Sequence, residues 1–82
     1  MKANVSTDIR EYIVATWLSG DGRGFDEDTD LQESGILDSF STLALIAYLD
    51  ERFKTQLDPS DVSAEAFRTV KTLTTLVLAK MG

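Results

Sequence analysis

The sequence predicts an all-α protein, a small four-helix bundle with a long first loop and a short third helix. Apolar residues recur at helical spacing in three long stretches, residues 4–18, 39–53 and 69–81, and a short fourth stretch at residues 63–67 can form a helix by docking on them. A chain of 82 residues is near the lower end of what folds without disulfides or bound metals, so its helices must share one modest core. We therefore expect residues 1–82 to form a single domain.

The first predicted helix spans residues 4–18. Its candidate N-caps are Asn4, Ser6 and Thr7. The residues expected on its core face are Val5, Ile9, Tyr12, Ile13 and Thr16, with Trp17 at the edge. We interpret the two aromatic residues as packing residues, because aromatic side chains at helical spacing more often fill a core than line a ligand site.

The loop that follows contains GDGRGFDEDTD at residues 20–30. Phosphate binding by a glycine-rich loop needs a preceding strand, and carboxylates flank this one, so a nucleotide site is excluded. Three carboxylates alternate as in a calcium-binding loop: Asp26, Asp28 and Asp30. Leu31 and Leu37 stand where that loop needs its glycine and closing glutamate, so no calcium sensor is expected and weak divalent binding is left open. Phe25 and Leu31 are the expected anchors to the core.

Ser39 lies at the start of the central apolar stretch, LQESGILDSFSTLALIAYLDERF at residues 31–53. Asp38 can serve as the N-cap of the helix that begins there, which leaves the Ser39 hydroxyl free. A helix N-terminus has unpaired N–H groups and partial positive charge, so a phosphate on Ser39 would be stabilised. In the simpler alternative, Ser39 is itself only a cap.

This second helix has two apolar faces. The core face is expected to hold Thr42, Leu45, Ile46, Leu49 and Phe53. The opposite face holds Phe40, Leu43, Ala44 and Ala47. Because a small bundle cannot bury both, we expect the second face to be exposed to a partner, with Asp50 and Glu51 as its acidic border.

The C-terminal third is expected to contain a short third helix and a last core helix. Pro59 interrupts helical structure, and Leu57 before it is an expected core contact. Residues 63–67 are too few for an independent helix, so that helix depends on docking Phe67. Thr69 is the expected N-cap of the last helix, and Lys80 lies near its C-terminal end. Its expected core residues are Val70, Leu73, Leu76, Val77 and Leu78.

Composition excludes several classes of function. The chain has no cysteine and no histidine, which excludes disulfides, thiolate or imidazole metal sites and histidine-activated nucleophiles. Its net charge of −6 makes nucleic acid an unfavourable partner and basic protein surfaces a favourable one. No apolar run has the length of a membrane span or the character of a signal peptide, so we expect a cytoplasmic protein.

The motif GILDSF at residues 35–40, followed by an apolar helix that ends in DERF at residues 50–53, resembles the acyl carrier protein family. The resemblance covers nearly the whole chain and implies an acyl-carrier-type bundle. It implies that Ser39 is esterified by 4′-phosphopantetheine from coenzyme A and that Asp38 belongs to the motif recognised by the transferase. The thiol of that group would carry cargo as a thioester. The protein would then be a non-catalytic carrier, and we expect a monomer with no metal ligand among its site residues.

The resemblance also implies partner enzymes. These are a phosphopantetheinyl transferase and loading or processing enzymes: acyl- or aminoacyl-adenylating ligases, acyltransferases, ketosynthases or condensation-type enzymes. Asp38 would contact basic patches on these enzymes. Binding between carrier and enzyme would be weak, transient and salt-sensitive. The other expected partner-binding residues are Phe40, Leu43, Ala47, Asp50, Glu51, Val62 and Glu65.

The cargo and the biosynthetic pathway are not specified. Carriers of primary fatty acid synthesis usually have further acidic residues where this chain has Ser41, Ala44 and Arg52, which favours a specialised polyketide, nonribosomal peptide or lipid pathway. One alternative is an aminoacyl carrier of the D-alanyl type, loaded by an adenylating ligase. The other is a helical interaction module without a prosthetic group.

Overall fold

The computed structural model describes residues 5–81, which contain three α-helices, one 3-10 turn and no strand. The helices are α1 (Val5–Trp17), α2 (Ser39–Phe53) and α3 (Val70–Met81), and the 3-10 turn is Pro59–Asp61. The all-α class is therefore confirmed, whereas a count of four helices is not. None of these helices has the length and apolar character needed to cross a membrane.

The prediction of a short third helix at residues 63–67 is wrong, because this segment forms a single turn. The Phe67 amide donates to the Ser63 carbonyl at 3.0 Å, and the Ala66 amide donates to the Ser63 hydroxyl at 3.1 Å. So few hydrogen bonds cannot offset the cost of starting a helix. Phe67 is nevertheless buried, as predicted. The regular turn forms earlier, where Pro59 occupies a first helical position that needs no N–H donor.

One apolar core joins the three helices and the first loop. Its members are Val5, Ile9, Ile13, Phe25, Leu31, Ile36, Leu37, Leu45, Leu49, Phe53, Phe67, Val70, Leu73 and Val77. α3 packs against both α1 and α2. Both predicted loop anchors, Phe25 and Leu31, are thus confirmed, and Leu57 packs against the core as a partly buried residue. Such burial is the main stabilising contribution in a domain of this size.

Three details of the predicted helices differ in the structure. Thr16 and Leu78 are exposed instead of buried. Thr16 lies in the last turn of α1, after the last buried residue of that helix, and Leu78 is turned about 100° from buried Val77. Ser6 and Thr7 both lie inside α1, so neither is its N-cap, and Asn4 lies outside the described residues. Thr69 caps α3 as predicted, since its hydroxyl accepts from the Thr72 amide at 3.1 Å.

Aromatic side chains connect α1 with α2. The rings of Tyr12 and Tyr48 are stacked, with centroids 3.8 Å apart, and Trp17 meets Tyr12 edge-on at 5.6 Å. Beside them, Arg52 forms a 2.8 Å ion pair with Asp8. These contacts agree with a packing role for Tyr12 and Trp17.

The carboxylates of the first loop hold the loop's own backbone. Asp26 accepts from the Asp28 amide at 2.9 Å, and Asp30 accepts from the amides of Gln32 and Glu33, each at 2.9 Å. Such contacts are typical of aspartate in turns. Within residues 5–81, no group of three or more potential ligand side chains lies close enough together to hold a metal ion.

Candidate functional site

The start of α2 is organised by the Asp38 side chain. Asp38 has extended backbone angles, and its Oδ1 accepts the Ser41 amide at 2.8 Å. The first helical bond runs from the Thr42 amide to the Asp38 carbonyl at 2.9 Å. Asp38 is therefore the N-cap and Ser39 the first helical residue, both as predicted.

The Ser39 hydroxyl is accessible. Ser39 is exposed, and no hydrogen-bond partner within residues 5–81 holds its hydroxyl. The preceding Ile36 and Leu37 are buried, and the Leu37 amide donates to the Leu31 carbonyl at 2.9 Å. Gly35 supplies the turn before them with a φ of +83°, where a side chain would be strained. A fixed backbone thus presents a free hydroxyl at the positive end of a helix.

Asp38 is held in its charged form by the cap itself. The Ser41 amide, and then the Ser41 hydroxyl, donate to the carboxylate and lower the pKa of Asp38 below the ordinary value of 3.8. Asp38 is therefore ionised at neutral pH. Its negative charge lies where the helix end favours an anion.

We expect Asp38→Ala to lower the melting temperature by a few degrees at neutral pH, because the Ser41 amide loses its acceptor. The folded pKa of Asp38 is depressed, so the stability that it contributes is present above pH 3.8 and is lost as pH falls through the folded pKa. The difference in melting temperature between variant and wild type should therefore become smaller as the pH falls below 3.8. Thermal melts of both proteins from neutral to acidic pH measure this difference, and a difference that grows in acid would contradict the capping role.

The outer face of α2 is exposed, which confirms the prediction of two faces. Phe40 is 82% exposed and Leu43 66% exposed, and Ala44 and Ala47 on the same face are also exposed. On the core face, Leu45, Leu49 and Phe53 are buried, while Thr42 and Ile46 are partly buried. An apolar surface therefore extends from Ser39 along α2.

The acidic border of this face differs from the prediction. Glu51 is exposed, but Asp50 is half-buried and accepts from the Thr55 hydroxyl at 2.9 Å and the Leu57 amide at 3.1 Å. The residue pattern does not indicate this role of Asp50, which holds the chain in place after α2. The only hint in the sequence is Thr55, five residues after Asp50, and this spacing does not by itself indicate a hydrogen bond.

Two grooves flank the segment between α2 and α3. One, of about 430 Å³, has Leu43 and Ile46 on one side and Leu57, Pro59 and Val62 on the other. The other, of about 380 Å³, lies between residues 63–66 and α3 and includes Glu65. The structure therefore brings Val62 to the exposed face of α2, whereas Glu65 lines the second groove.

Comparison with protein families places the chain beside a known domain. A family model described as "Phosphopantetheine attachment site" matches residues 8–77, which include the whole of α2 and the Asp38–Ser39 motif. Comparison with curated protein sequences gives no match.

Proposed function

Because the chain belongs to the phosphopantetheine attachment-site family of carrier proteins, we propose that Ser39 is the serine to which 4′-phosphopantetheine is attached. Nearby serines are less suited to this role. Ser34 donates its hydroxyl to the Leu31 carbonyl, and the Ser41 hydroxyl interacts with Asp38. The observation that carries the proposal is the exposed, unpartnered Ser39 hydroxyl at the first position of a capped helix.

The residues around Ser39 fit a phosphodiester. The N-terminus of α2 offers partial positive charge, and the Asp38 carboxylate is already bound to the Ser41 amide. Buried Leu37 and Leu45 fix the chain on either side, so the attachment point itself does not move with the arm. When attached, the group supplies a thiol that holds an acyl or aminoacyl cargo as a thioester on a flexible tether, which raises the cargo's effective concentration at a partner enzyme.

We propose that partners dock on the exposed face of α2. Phe40, Leu43 and Ala47 supply apolar contact, and Val62 extends this surface across the groove. Asp38 and Glu51 are the exposed charges at its two ends and would influence encounter rates more than affinity. Asp50 contributes indirectly by fixing residues 55–57, and Glu65 would meet a partner that reaches the second groove.

The limited charge of α2 bears on the pathway. Ser41 and Ala44 are uncharged, and Arg52 is paired with Asp8, so few free carboxylates lie along the helix. This favours a specialised polyketide, nonribosomal peptide or lipid pathway over primary fatty acid synthesis. An aminoacyl carrier remains the second candidate. Offering the phosphopantetheinylated protein to acyl- and aminoacyl-adenylating ligases, with mass measurement of the loaded product, distinguishes the two.

The test of the proposed function is direct. Incubating the purified chain with coenzyme A, magnesium and a phosphopantetheinyl transferase of broad specificity should add the mass of one phosphopantetheinyl group. A domain that is only an interaction module would gain no mass. An unchanged intact mass, under conditions in which a known carrier domain is modified, would therefore refute the proposal.

A further inference from the structure

Gln32 connects the first loop to the turn at residues 63–67. Its side-chain Nε2 donates to the Ala64 carbonyl at 2.9 Å and to the Phe67 carbonyl at 3.3 Å, so one amide group reaches both ends of the turn. The backbone of Gln32 is itself fixed, because its N–H donates to Asp30 at 2.9 Å. The side chain therefore extends from a rigid base.

The turn depends on such external donors. Residues 63–67 do not continue into a helix, so the carbonyls that follow Ser63 lack the donors that a further helical turn would provide. The Ala66 carbonyl is bound by the Thr72 hydroxyl at 2.9 Å, and the Arg68 carbonyl by the Leu31 amide at 2.7 Å. Gln32 supplies the donors for the Ala64 and Phe67 carbonyls. The shape of the turn is therefore set largely by residues outside it.

The same part of the first loop also leads to Ser39. Leu31, next to Gln32, donates its amide to Arg68 and accepts the Leu37 amide at 2.9 Å through its carbonyl. Leu37 directly precedes the cap, Asp38. The hydrogen bonds of residues 31–37 thus connect the turn at residues 63–67 with the N-terminus of α2.

We propose that Gln32 is a positioning residue that holds the turn at residues 63–67 at a fixed distance from Ser39. The partner surface described above has two parts, the outer face of α2 and the segment with Val62 and Glu65. A transferase that contacts both parts requires a constant spacing between them. This inference rests on the proposed function and assigns to Gln32 a role in partner recognition without direct contact.

The first test measures the turn in the unmodified protein. Gln32→Glu keeps the shape of the side chain but cannot donate, whereas Gln32→Lys keeps a donor. Amide hydrogen exchange of Ala66 and Phe67 should become about tenfold faster in Gln32→Glu and stay near the wild-type rate in Gln32→Lys. Gln32→Met, without donor or charge, should match Gln32→Glu. Exchange of the Leu45 amide and the adjacent variant Glu33→Gln serve as controls, and neither should change.

The second test measures modification of the same variants by a transferase and coenzyme A. The KM for the carrier should rise about threefold or more in Gln32→Glu and Gln32→Met, with kcat unchanged, and return toward wild type in Gln32→Lys. Unchanged exchange rates, an unchanged KM or failure of Gln32→Lys to restore both would overturn the inference. A wild-type chain that gains no mass would instead refute the proposed function, so the two failures are distinguishable.

Discussion

Ser39→Ala should abolish the attachment of phosphopantetheine. The variant lacks the one oxygen that we propose to carry the phosphate, and alanine at the first helical position leaves the Asp38 cap in place. Circular dichroism should therefore match the wild type while the intact mass stays unchanged after incubation with transferase and coenzyme A.

Ser41→Ala is the matched control for this experiment. Ser41 lies two residues further along α2, and its backbone amide, which alanine retains, makes the cap hydrogen bond with Asp38. This variant should be modified to completion. A mass gain that survives Ser39→Ala would place the attachment on another residue and contradict the assignment.

Leu49→Arg should unfold the domain. Leu49 is fully buried in the core, and an arginine there has no buried carboxylate within residues 5–81 to pair with. Losing the leucine packing costs about 2–5 kcal/mol, and burying an unpaired charge costs several more. A small domain has about 5–15 kcal/mol of total stability. We expect the far-ultraviolet helical signal to be largely lost at 25 °C.

Leu43→Arg is the matched substitution on the opposite face. Leu43 is 66% exposed, so the charge remains in water and the free energy of unfolding should change by about 0.5 kcal/mol or less. Loading by partner enzymes should nevertheless fall, because the new charge enters the apolar docking face. Loss of helical signal in Leu43→Arg, or its retention in Leu49→Arg, would show that the two faces of α2 are wrongly assigned.

Local patterns were sufficient to predict α2 and its cap. Asp38 before an apolar-periodic run predicts an N-cap, and helical angles alone separate buried Leu49 from exposed Leu43. Both features depend on residues a few positions apart, so they are encoded within the segment itself. The accessibility of Ser39 follows from the same arrangement.

The details that were missed depend on distant residues. Gln32 meets carbonyls 32 and 35 residues away, and Arg52 pairs with Asp8 across 44 residues. Periodicity contains no information about such pairs. The same limit explains why residues 63–67 form a turn and not the predicted helix. Donors from elsewhere in the chain bind the carbonyls that a helix would have bound internally.

The edge-on contact between Trp17 and Tyr12 has a practical consequence. Trp17 is the single tryptophan of the chain, and Tyr12 stacks on Tyr48 of α2. Indole emission should therefore change when α1 separates from α2, and no dye has to be attached. The chain carries an intrinsic fluorophore with which denaturation can be followed in the variants described above.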